Sequence, residues 1–311
     1  NFIMTGGDIT GNTNKSSNGG GGVYLNGGTF TMDGGEITGN MGMSSSAGGV
    51  YLDSGIFNMK SGKISDNEMG SSFTNGGVHV GSTADSTTTS TAVFTMSGGS
   101  ITGNTSSKNG GGVYVDETGT FEMTGGDITG NKNTDGTNSG GGVVVDGGTF
   151  KMSNGKITKN TSKYDGGGVY IYSGTFTMDG GSISVNESTA YGGGVCVASD
   201  GTFAMSNGEI IGNTAGSFGG GGVYIDFNGK FNMDGGKITG NNAASTRCAG
   251  GVYVNSSSTF TVSGEAQITA NWRNGTFVSD EGRYGKGFGS EAGNVYLAGD
   301  ATMATITIGE K

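Results

Sequence analysis

Few side chains in this sequence could do chemistry, and their spacing narrows what that chemistry would be. Among 311 residues there are one histidine, two cysteines and one tryptophan. Three aromatic residues recur at one corner of successive sequence segments, Tyr164, Tyr191 and Phe218, followed by Arg247 at the matching offset. Aromatic rows of this kind stack on the apolar faces of sugar rings, and an arginine beside them can bond a hydroxyl or stack. The plainer reading of the same row is a self-stacking ladder that covers the corner. Trp272 opens a long loop running to Gly293 that also holds Phe277, Tyr284 and Phe288. That loop is either a binding loop or a lid over one end of the molecule, since the ends of repeat arrays need covering. Tyr164, Tyr191, Phe218, Arg247 and Trp272 are therefore the candidate residues for a glycan or a protein partner.

Acid–base, metal and thiol chemistry are poorly served. His79 sits in a row otherwise rich in tyrosine, and reads as a substitution within that row rather than a base. The row comprises Tyr24, Tyr51, His79, Tyr114, Val144, Tyr170, Cys196, Tyr224, Tyr253 and Tyr296. It is expected on the outside, as a contact for another chain or as simple cross-strand stacking. A second outward row reads Asp8, Glu36, Lys63, Ser100, Asp127, Lys156, Ser182, Glu209, Lys237 and Gln267. Interleaved lysines neutralise that stripe instead of gathering carboxylates for acid–base work or calcium. Cys196 and Cys248 fall two repeats apart at different repeat positions, about 9–10 Å for two strand spacings, beyond disulfide reach. Both are expected to be unpaired. A threonine row after the isoleucines suggests ice-binding surfaces, but charged neighbours spoil the second rank such a surface needs. No catalytic residue, metal or cofactor is expected.

The elements that position these residues follow from a repeat. Phenylalanine recurs at Phe2, Phe30, Phe57, Phe94, Phe121, Phe150, Phe176, Phe203, Phe231 and Phe260, with most copies 26 to 30 residues apart. An isoleucine and, three residues later, an asparagine follow each one, from Ile9 and Asn12 to Ile268 and Asn271. A Gly-Gly-Val-x-(Val/Leu/Ile) motif precedes the Phe, as in Gly22-Val23-Tyr24-Leu25. Within each repeat, apolar residues alternate over short runs separated by glycines, the signature of short strands joined at corners. One repeat cannot bury its own apolar side, whereas stacked repeats can. The fold class is all-β: a right-handed parallel β-helix of about ten three-strand coils, the handedness following from that of parallel crossovers. Residues 1–311 form a single solenoid. A Ser/Thr-rich insertion at 81–93 reads as a flexible, solvated loop, and 272–293 as the long loop noted above. The Phe and Met rows should stack through the core, and the Asn row should form a hydrogen-bonded ladder at one corner.

Composition fits this fold and excludes others. Glycine accounts for 70 residues, proline for none, and the formal net charge is −10. The acidic balance argues against nucleic acid and against docking on anionic membranes. No apolar run is long enough to insert in a membrane as a helix. Proline is missing because nearly every strand N–H must donate to a neighbouring coil. The chain opens within a repeat, at Asn1-Phe2-Ile3-Met4, so it is expected to be a piece of a longer protein or fibre.

The paired motifs Gly-Gly-Val-Tyr-Val and Ile-Thr-Gly-Asn resemble the β-helix repeats of secreted bacterial surface proteins. They are similar to the Gly-Gly-Ala-Ile and Phe-x-x-Asn motifs of chlamydial polymorphic outer-membrane proteins, with Ile where that family has Phe. The resemblance covers essentially the whole chain. It implies an extracellular or cell-surface structural or adhesive protein: a stalk, an adhesin or a fibre subunit stacking end to end. The alternative is a carbohydrate-binding or carbohydrate-cleaving β-helix protein using the loop corner.

Overall fold

The computed structural model describes residues 1–16, 19–43, 47–70, 75–82, 91–135, 140–216, 219–245, 248–273 and 293–297, and the backbone of 305–308. Among these residues there is no helix. Every strand pairing is parallel, and each strand pairs with the equivalent strand one repeat away. One coil shows the pattern: Val113–Val115, Gly119–Met123 and Asp127–Thr129 are its three expected strands. Where the corners stay hydrogen-bonded, these merge into single bent strands of 16 residues, as in Val23–Thr38 and Val169–Ser184. The structure adds a fourth element that the alternation did not reveal. Two-residue strands such as Thr105–Ser106 and Lys132–Asn133 follow each Asn and form a separate ten-stranded sheet. Two residues cannot display a period, so nothing in the pattern marked them.

Register follows the repeat residue for residue. Phe121 lies between Phe94 and Phe150, and Ile128 between Ile101 and Ile157. The insertion leaves the stack intact, since Phe57 still pairs with Phe94 across it; residues 83–90 lie outside the described set. In the last coil Ile306 takes the backbone place of the Phe. Ten Asn positions, Asn12 to Asn271, mark nine full turns. At about 4.8 Å per coil these give a rod about 43 Å long.

The core is one unbroken cluster from Met4 to Phe260. From Phe30 to Phe260 the rings stack face to face, with centroids 4.5–4.9 Å apart and planes within 13° of parallel. The Asn row forms the expected ladder. Asn131 Nδ2 donates to Asn160 Oδ1 at 3.0 Å and to the Ile101 carbonyl at 2.9 Å. The Asn131 backbone N–H also donates to Asn160 Oδ1, at 2.9 Å. Both amide protons and the acceptor oxygen are thereby used in each inner rung, which is what makes a buried amide row tolerable. The corner between the Met and Ile strands shows why glycine predominates there. Gly126 has φ +82°, and a Cβ on it would lie 2.6 Å from Met96 Cε of the preceding coil.

Candidate functional site

The loop corner is where sequence length varies, and the structure changes the picture of it. The loops do not leave the outer face of the Val strand open. They fold back across it and bury much of the tyrosine row expected to be exposed. Tyr51, His79, Val144, Tyr170, Cys196 and Tyr224 are between 1% and 5% exposed, while Tyr24 at one end is 47% exposed. A second, smaller apolar cluster results, made of Val144, Tyr170, Cys196, Ala198 and Tyr224, with Tyr114, Tyr191 and Tyr253 packed against it. The expectation of an exposed aromatic stripe is corrected for all these inner coils. A single strand's alternation says which side chains leave the tube, but not whether a loop returns to cover them.

The polar tips of this row meet a column of aspartates just past the Val strand. Tyr24 donates its hydroxyl to Asp53 at 3.0 Å and Tyr114 to Asp146 at 2.7 Å. Tyr224 donates to Asp226 at 3.3 Å, and Asn255 Nδ2 donates to the same carboxylate at 2.8 Å. Buried hydroxyls need such partners. Burial and the nearby carboxylate charges hold the Tyr114, Tyr170 and Tyr224 hydroxyls protonated. The recurrence of Asp after Val-x-(Val/Leu/Ile), at Asp53, Asp116, Asp146 and Asp226, was the sequence signal for this column.

His79 belongs to the same row and is more tightly held than a mere substitution implies. Its ring lies between Tyr51 and Tyr114, with centroids 4.5 and 5.1 Å away. With the Asn75 amide donating to Nδ1 at 3.1 Å, the ring proton sits on Nε2 and donates to Asp116 Oδ2 at 3.1 Å. A carboxylate-oriented imidazole is half of a catalytic arrangement. Here Nδ1 is occupied by Asn75 and the residue is 1% exposed, so the group serves as a polar member of the stack.

The strip proposed for ligand binding is only partly assembled. Tyr191 stands in register with Asp165, not with Tyr164. The Tyr164 and Tyr191 rings meet edge-on at 6.1 Å, and Tyr191 leans onto Tyr224 at 4.6 Å. Tyr164 is 44% exposed, whereas Tyr191 is half-buried as part of the cover over the second cluster. Phe218 and Arg247 lie outside the described residues, as do Phe277, Tyr284 and Phe288 of the long loop. Trp272 is in a two-residue strand paired with Asn242, with its side chain 37% exposed. Tyr164 and Trp272 are thus the candidates that the described structure leaves open to solvent.

Beneath Tyr191 lies Asp165, a residue that the sequence reading passed over. It is 9% exposed, and its Oδ1 has no hydrogen-bond partner. Burial, and then the charge of Asp226, push its carboxyl up to about 7. Burial and the same two aspartates push the Cys196 thiol up as well, which removes it as a nucleophile. Cys196 and Cys248 are both buried, and neither forms a disulfide, as expected.

The charged stripe on the opposite side keeps its expected neutral pairing. Glu209 stands beside Lys237, and Asp127 beside Lys156. Among the described residues no group of three or more His, Cys, Asp or Glu is placed to hold a metal ion. No helix among them is long and apolar enough to cross a membrane. Comparison with protein-family models, curated proteins and solved structures finds no match to the chain.

Proposed function

We propose that this chain is a non-catalytic structural rod of the cell surface or extracellular space, serving as a stalk or adhesive spacer. The observation that carries this reading is the continuity of the inner ladders. Phe30 to Phe260 and Asn12 to Asn271 repeat without a missing rung, so the fold spends its regularity on stiffness along one axis. The export assignment rests on the resemblance of the Gly-Gly-Val-Tyr-Val and Ile-Thr-Gly-Asn motifs to surface-protein repeats. End-to-end association is part of the proposal, because parallel coils carry their backbone donors and acceptors along the rod axis, where they can pair with a further coil. Electron microscopy tests the rod: straight particles about 43 Å long, or multiples of that length, are expected. Bent or globular particles would count against it.

A second reading is favoured by the solvent exposure of Tyr164 and Trp272 at one corner: weak stacking on a glycan partner or a host or cell-surface receptor. Glycan-array binding that is lost in Tyr164→Ala and retained in Lys151→Ala would support it. Turnover of any polysaccharide would overturn the non-catalytic assignment.

A further inference from the structure

Asn294 stands where the repeat demands glycine. In the nine preceding coils the residue just before the first Val is Gly22, Gly49, Gly77, Gly112, Gly142, Gly168, Gly194, Gly222 or Gly251. The reasons are the same in coil after coil. A Cβ at Gly142 would lie 2.6 Å from the Gly168 carbonyl of the next coil and 3.0 Å from Asn160 Nδ2 of its own, and one at Gly222 would lie 2.8 Å from the Gly251 carbonyl and 3.0 Å from Asn241 Nδ2. The glycine makes room both for the backbone stacked on it and for the ladder amide of its own coil. A side chain fits at this position only where neither stands against it.

The side chain of Asn294 fills the slot of the ladder amide. Its Oδ1 accepts from the Asn271 backbone N–H at 3.2 Å and from Asn271 Nδ2 at 3.0 Å. These are the same two donors that each inner rung presents to the next. Asn241 makes the equivalent pair of bonds to Asn271 Oδ1, at 3.0 and 2.9 Å. Asn294 is 4% exposed, so the acceptor is buried with its donors. The carboxamide therefore reaches the ladder from the opposite side of the corner, from the start of its coil rather than from its end.

We infer that Asn294 is a built-in terminator of the asparagine ladder. It accepts from both the backbone N–H and Nδ2 of Asn271, the two donors that an inner rung presents to the next Asn. It also closes the slot to any further ladder Asn, whether from the next coil of the same chain or from a second copy stacked on this end. The ladder then grows in one direction only. A coil that extends it can add beyond Asn12 but not beyond Asn271. This consequence for assembly rests on reading the chain as a structural rod; the capping itself does not.

Hydrogen exchange in the full chain, followed by NMR at Asn271, tests the assignment. Asn294→Gly restores the repeat consensus yet removes the acceptor. Asn294→Asp keeps an acceptor of the same shape. Both the backbone and carboxamide protons of Asn271 should exchange about tenfold faster or more in Asn294→Gly, the equivalent of about 1.4 kcal/mol. They should stay protected in Asn294→Asp, with Asn131 unchanged throughout as an internal reference. Equal protection in the parent and Asn294→Gly would overturn the inference. So would equal losses in the two variants, because the role would then be one of packing and not of acceptance. Neither result bears on whether the rod is a surface protein.

Discussion

In one coil Val113 and Val115 point into the tube and Tyr114 points out of it, and the two sides follow different rules. Inside, each side chain has its own copy as a neighbour above and below, so Phe meets Phe and Asn meets Asn through every inner turn. Outside, the equivalent row runs Tyr, His, Tyr, Val, Tyr, Cys, and its third neighbour is a loop that does not repeat. The buried polar atoms left without partners among the described residues are Asn75 Oδ1, Asn133 Oδ1, Asp165 Oδ1 and Ser188 Oγ. All four belong to the loops, the short strands or the outer cluster, and none to the inner tube. A ladder satisfies its members automatically, whereas each position of the outer cluster must be satisfied by its own loop.

The sharpest way to break this contrast is to put a charge in the tube. Met123→Lys would bury an ammonium in a continuous stack with no partner, and the cost should exceed about 5 kcal/mol and abolish cooperative unfolding. An unchanged denaturant midpoint would mean that this row does not face the core. Asn160→Leu comes next. It removes the Nδ2 donor to the Ile128 carbonyl and to Asn186 Oδ1, which keeps the Asn160 backbone N–H, and it leaves the two Asn131 donors without their acceptor, for a loss on the order of 5 kcal/mol.

The outer cluster should respond in the opposite sense. Asp165 carries its proton up to about pH 7 when folded, but only to about pH 4 when unfolded. Between those values the folded state binds more protons, so stability falls as pH rises from about 4 to about 7. The loss reaches at most about 4 kcal/mol above pH 7. Asp165→Asn should remove this dependence and raise stability at pH 8 while changing little at pH 4, as read by chemical denaturation at both values. A variant less stable than the parent at pH 8 would show that the carboxylate is satisfied in some other way.

The smallest effect concerns a backbone strain shared by neither core. Val185 has φ +56° and is 57% exposed, in a position that is Gly39, Gly103, Gly130, Gly212 or Gly240 in other coils. A β-branched residue is strained there, so Val185→Gly should gain about 1 kcal/mol. A melting temperature at or below that of the parent would refute this.

The sequence by itself determined the inner architecture. Phe30-Thr31-Met32 and Ile37-Thr38-Gly39-Asn40 recur at constant spacing, and stacking copies of one pattern admits a single register. The Phe stack, the Asn ladder, the missing proline and the absence of a Cys196–Cys248 disulfide were all legible for that reason. What only the tertiary structure decided lies at the loops and the end. Tyr170 and Cys196 are buried because loops of unequal length fold over them. Tyr191 joins that cover instead of lining up with Tyr164, and Asp165 is trapped beneath it. Asn294 reads as an irregular Gly-Gly-Val until its side chain is seen in the slot of the ladder. A repeat predicts contacts between equivalent positions, because translation along one axis generates them. Contacts between non-equivalent positions depend on how each loop closes, and no period encodes that.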